Sequence, residues 1–221
     1  MAKSETPKPG LKLGLFGMDK LNFLDIPHDK LLKLAEEIGA PQHELAVELW
    51  NNGSYEAKLL SCMFCEPSKV TKDQADTLAR GVNSWIICEY CCSKLLWKLP
   101  FAMKKSLEWA DSGDDTLSCV GFSLMAALAA NLPPSAANEL GFFDNALFYA
   151  RKHASDANLD VRRAITSALH QIGKRNRDWH EAAIETAEEI GAQPCEAARW
   201  VATQSLGELK STKFKNHLKG E

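Results

Sequence analysis

The chain has 221 residues, 45% of them hydrophobic and 25% charged, with a formal net charge of −3. That is enough apolar chain for one large domain with a real core, and it excludes disorder as the main state. It also excludes the strongly basic balance of a dedicated nucleic-acid binder, so any such interaction has to come from a local patch. Residues 1–150 carry 14 Lys/Arg against 19 Asp/Glu, whereas residues 151–221 carry 12 against 10, which places the basic surface late in the chain.

In chain order, the pattern predicts a polar N-terminal tail over 1–21, a helical domain over 22–210 and a Lys-containing tail over 211–221. The first ten residues are polar and lack the apolar stretch of a secretion signal. Helices are expected at 28–38, 41–52, 54–64, 71–82, 84–99, 101–110, 115–130, 135–152, 160–173, 177–190 and 195–210. Gly39, Gly53, Gly173 and Gly191 sit where a C′ residue would stop a helix, and Pro27, Pro41 and Pro194 where one would start. Thr71 to Gln74 reads as a capping box. Asp111, Asp114 and Asp115 read as acids at a helix N-terminus. The most apolar run, Val120–Ala130, falls far short of the ~20 residues a bilayer needs, so no membrane span is expected. Short connections imply antiparallel neighbours. The segment Ala35–Ala40 recurs letter for letter as Ala187–Ala192, a weak echo of the repeat spacing of HEAT-type solenoids. The fold class is all-α, an α-solenoid of HEAT-like antiparallel helical pairs.

Two helices carry candidate chemistry. In the one over 84–99, Glu89 falls at the edge of the apolar stripe, one turn from Trp85. A carboxylate there is partly desolvated, and an indole beside it suits a cationic planar ligand. The plainer reading is a core-edge tryptophan with Glu89 turned to water. In the helix over 160–173, Val161, Ile165, Ala168, Leu169 and Ile172 face inward. Arg163, Thr166, Ser167, His170 and Lys174, continued by Arg175 and Asn176, form a polar stripe that can dock phosphates or merely be solvated.

Seven cysteines without framework spacing and without a secretion signal imply reduced thiols in a cytoplasmic protein. The pairs Cys62/Cys65 and Cys88/Cys91 have zinc-like spacing but fall on helices, so they read as core packing, with no metal. No phosphate-binding glycine loop or nucleophile motif occurs, which argues against a nucleotide cofactor.

Several stretches together resemble the DNA alkylation repair family of AlkD type: His43–Gly53 with Glu56–Leu60, Trp85 with Cys88 and Glu89, Val120–Ala126, Val161–Asn176, and Ala198–Ala202. The resemblance implies a curved HEAT-like solenoid holding duplex DNA in a concave groove. It also implies excision of cationic N3- or N7-alkylated purines without base flipping and without a cofactor. It implies Glu89 as the catalytic carboxylate and Trp85 as the aromatic wall, with Arg162, Arg163, Ser167, His170, Lys174, Arg175, Asn176 and Arg199 toward DNA. Three positions depart from the family pattern. Its usual Asp is Glu89, its phosphate-gripping arginine is Cys119, and its second lesion-facing tryptophan is Ser167. Three readings follow: a glycosylase, a non-catalytic nucleic-acid binder, and a protein-interaction scaffold.

Overall fold

Each helix starts and stops for a local reason. Thr71 and Gln74 form a reciprocal capping box at the start of one helix, and Asp114 accepts from the Leu117 amide at another. Gly39 and Gly53 end two helices at positive φ, +80° and +82°, a conformation in which a Cβ is strained. In a computed structural model of the chain, described for residues 22–39, 41–133, 139–156, 158–212 and 214, these signals delimit eleven α-helices among the described residues. They are α1 His28–Ile38, α2 His43–Asn52, α3 Tyr55–Phe64, α4 Lys72–Arg80, α5 Trp85–Lys94, α6 Ala102–Ala110, α7 Asp115–Asn131, α8 Glu139–His153, α9 Leu159–Gly173, α10 Arg177–Gly191 and α11 Glu196–Leu209. The N-terminal tail, and all of the C-terminal tail but 211, 212 and 214, lie outside the described residues.

Two expectations need correction. Gly173 and Gly191 are the last helical residues rather than caps, for Lys174 and Ala192 follow in right-handed conformation. Pro27 is an N-cap with ψ of 144°, and Pro41 and Pro194 precede their helices by two residues. The ring fixes φ alone, and the cap position requires an extended ψ. The helix over 84–99 also divides. It leaves α geometry at Leu95 (φ −124°, ψ −62°) and tightens into one 3-10 turn over Leu96–Lys98. Pro100 explains the ending, since it disfavours helix at Leu99, which is extended. The apolar stripe survives, with Cys88, Cys92, Leu95, Leu96 and Leu99 all buried.

The helices α3, α5, α7, α9 and α11 pack side by side as one layer, and α2, α6, α8 and α10 back them as a second. The pair α4/α5 is less regular, with α4 resting on α7. The main core cluster runs through the stack from Leu31 to Ala202, and a small second one joins Ala183, Leu209 and Phe214. The longest described helix, α7, is buried at every residue from Leu117 to Ala129, as a helix enclosed on all sides must be. Gly121 is where α6 touches it. A Cβ there would stand 2.5 Å from the Ala110 backbone nitrogen and 2.8 Å from the Ser106 carbonyl oxygen. Neither atom can rotate away, so Gly121→Ala should destabilise the fold by about 1–3 kcal/mol, read as a lower urea midpoint. An unchanged midpoint would show that α6 can retreat freely.

Candidate nucleic-acid interface

Two of the candidate residues, Glu89 and Ser167, meet on the face formed by α5, α7 and α9. Ser84 caps α5 by accepting from the Ile87 amide, and Asn158 caps α9 by accepting from the Asp160 amide. With those starts fixed, the helical period turns Glu89, Cys92 and Ser93 of α5 toward Ser167 and Gln171 of α9. Between them, Ser123, Ala126, Ala127 and Ala130 of α7 form the floor. The result is an open cleft of about 300 Å³. Two sequence candidates, Glu89 and Ser167, thus meet in one cleft. Trp85 lies one turn from Glu89 and packs half-buried against the core, outside the lining.

Partial burial raises the Glu89 carboxyl above its ordinary range, although the residue stays exposed at the cleft surface. The neighbouring Cys88 sulfur pushes the same way, and a hydrogen bond from Trp85 opposes both. No cation stands within ion-pair distance of Glu89 among the described residues. Ser123 Oγ is buried at 6% exposure and lacks a hydrogen-bond partner of good geometry. The Cys88 and Cys119 thiols adjoin it, and sulfur is a weak partner for a hydroxyl.

The basic candidates divide into those whose side chains remain at least partly accessible and those bound into the fold. Arg163 reaches the buried Asp160 at 3.4 Å while keeping 42% of its side chain exposed. Lys174 faces Glu208 at 3.7 Å and is likewise accessible. Arg199 is exposed on α11. Arg162 lies over the Trp200 ring at 5.3 Å. Arg175, by contrast, donates to the Ala129 and Leu132 carbonyls and so closes the C-terminal end of α7. Asn176 caps α10 by accepting from the Trp179 amide. His170 turns to α11, where Glu208 is 3.1 Å from Nδ1 and the Ser205 carbonyl 3.3 Å from Nε2. Burial lowers its pKa and Glu208 counters.

Cys119, at the position where the resemblance expects arginine, is fully buried with its sulfur 3.8 Å from the Asp160 carbonyl oxygen. All described cysteines are free thiols, and all but Cys195 are buried. Cys65 lies 3.7 Å from His43 Nδ1, and burial pushes its thiol up to about 11. Among the described residues, no three His, Cys, Asp or Glu side chains gather to hold a metal. None of the described helices is long and apolar enough to cross a membrane.

Sequence reasoning does not find Ser93, Ser123 or Gln171. Ser123, Ala126, Ala127 and Ala130 do recur at i, i+3, i+4 and i+7, but inside an apolar run such a stripe is indistinguishable from core.

A model of the family described as "DNA alkylation repair enzyme" matches residues 2–204. The chain belongs to the DNA alkylation repair enzyme family. Uncharacterized protein Lin0241 of Listeria innocua serovar 6a is 24% identical over 150 residues, which cover 67% of this chain and 63% of that protein. The chain therefore spans under two thirds of the length of that curated relative. A solved structure, described as belonging to "a new family of proteins related to the HEAT-like repeat DNA glycosylases with affinity for branched DNA structures", superposes with a TM-score of 0.71 at 18% identity. The match covers 89% of this chain and 83% of that one. The solenoid expected from the sequence is thus the HEAT-like fold of this family.

The cleft carboxylate makes a pH-dependent contribution. The folded state holds the Glu89 proton more tightly than the unfolded chain, so it carries more protons between the two pKa values. Stability accordingly falls as pH rises through that window. Glu89→Gln should raise the urea midpoint relative to the parent near pH 7, with the gain vanishing below the ordinary glutamate pKa of ~4.3. A gain independent of pH would refute the desolvation of Glu89.

Proposed function

We propose that this family member binds DNA on the α5/α7/α9 face, recognising its branched or distorted shape, and does not excise alkylated bases. The observation that carries this reading is Cys119. Where the family resemblance places a phosphate-gripping arginine, this chain has a fully buried thiol. The adjacent Cys88 and burial hold that thiol protonated, so the position offers DNA no charge. Ser167 replaces the second aromatic wall at the cleft. Excision of a cationic purine leaves positive charge on the sugar, and stabilising it needs an ionised carboxylate held rigidly at the bond being broken. Glu89 is longer than the family's aspartate, and burial disfavours its ionised form. Binding asks less of the site. Arg163, Lys174 and Arg199 supply cations along α9 and α11, and Lys94 and Lys98 are exposed at and just beyond the end of α5. The affinity for branched DNA described for the structural neighbour supports the choice of ligand.

The test is gel-shift titration of a four-way junction and of a duplex at two salt concentrations, beside an assay for base release from N7-methylated duplex. The junction should bind in a salt-dependent way, more tightly than the duplex, with no release of alkylated base. Arg163→Gln with Lys174→Ala should weaken binding to every sequence and lower the salt slope by about one for each phosphate no longer neutralised. Base release abolished by Glu89→Gln would reinstate the glycosylase reading. Absence of salt-dependent binding would favour a protein-interaction scaffold.

A further inference from the structure

The cleft has a composition that phosphate binding does not explain. A surface that only tracks the backbone needs cations, yet the cleft interior holds none. Its titratable groups are an unpaired carboxylate, Glu89, and the Cys92 thiol. Around them stand the hydroxyls of Ser93 and Ser167 and the carboxamide of Gln171. Ser123 lines the cleft as well, while its hydroxyl oxygen is closed off from solvent against the buried Cys88 and Cys119 thiols. The floor beneath is flat, because its residues are alanines on consecutive turns of α7.

We infer that the cleft between α5 and α9 receives a single unpaired nucleobase carrying an exocyclic amine, presented by the branched DNA bound to this face. This rests on the DNA-binding reading above. Several features match such a base. A volume of about 300 Å³ lies at the lower end of small-molecule sites. The alanine floor offers an apolar surface to the base plane. Glu89 accepts from the amine or from a ring N–H, and Gln171 can both donate and accept along the same edge. An unpaired base has already lost its pairing, so placing it in the cleft costs less than extracting a paired one from a duplex. The substitutions that remove the aromatic wall are also those that open the cleft, since an indole at Ser167 would fill it.

The full-length chain is titrated with a four-way junction whose arms are fully paired, and with the same junction carrying one unpaired 2-aminopurine at the branch point. The unpaired base should tighten binding about tenfold and its fluorescence should rise as it leaves the stack. An unpaired thymine, which has no exocyclic amine, should give a smaller gain. Ala127→Leu at the floor should abolish the difference in affinity between the two junctions and the fluorescence rise. Ala130→Phe, at the exposed rim where a larger side chain does not enter the core, should do the same. Equal binding of the paired and unpaired junctions overturns the inference while leaving the DNA-binding reading intact. So does a preference that survives both filling variants, and an equal gain for thymine overturns the role given to Glu89. Failure to bind either junction overturns the function on which the inference rests.

Discussion

A helix that is apolar on every side can exist in water only if neighbours enclose it, and α7 is such a helix. From Leu117 to Ala129 every residue is buried, so α5, α6 and α9 must all close on it. Small residues set the distances. Gly121 lets the α6 backbone approach closely. On the opposite side Ser123, Ala126, Ala127 and Ala130 leave a trough that α5 and α9 flank and do not fill. The cleft is therefore a product of core packing. Its floor cannot move without disturbing the most buried element of the fold.

The electrostatics around the cleft follow from the same packing. The interior excludes cations and raises the carboxyl it contains, while the cations sit at or beyond its edges. Arg163 and Lys174 are tied to acids at 3.4 and 3.7 Å and remain substantially exposed. The Lys174–Glu208 pair is accessible on both sides and contributes about 0–1 kcal/mol, so re-partnering Lys174 with a phosphate has little to overcome. Asp160 is different. It is buried, with burial raising its pKa and Arg163 lowering it, so drawing Arg163 away would leave a buried carboxyl without its cation. The division into a cationic margin and a hydroxyl-lined interior with a single carboxyl suits a ligand with an anionic backbone and an uncharged, hydrogen-bonding protruding part.

Much of this is legible in the sequence because it is local. The capping box at Thr71, the N-cap at Asp114 and the helical stripe from Cys88 to Leu99 depend on residues within a few positions of one another, and each appears as expected. The family resemblance likewise predicts the HEAT-like solenoid. What sequence cannot supply is which polar residues the fold consumes. Arg175 and Asn176 look identical in kind to Arg163 and Lys174 on a helical wheel. Yet the first two cap helix ends, because α7 happens to terminate beside one and α10 to begin at the other. Periodicity assigns His170 to the groove, and the approach of α11 turns it toward Glu208. Ser123 escapes sequence reasoning for the converse reason, as a hydroxyl within an apolar run gives no sign that its neighbours will stop short of it.

The central claim is that DNA lies against the α5/α7/α9 face, and amide hydrogen exchange of the chain with and without a four-way junction addresses it directly. The account predicts slowed exchange upon binding at the exposed end of α5 around Glu89–Lys94 and along α9 from Ser167 to Lys174, with α4, α6 and α10 unchanged. Protection confined to α4, α6 and α10, or no protection at saturating junction, would contradict it.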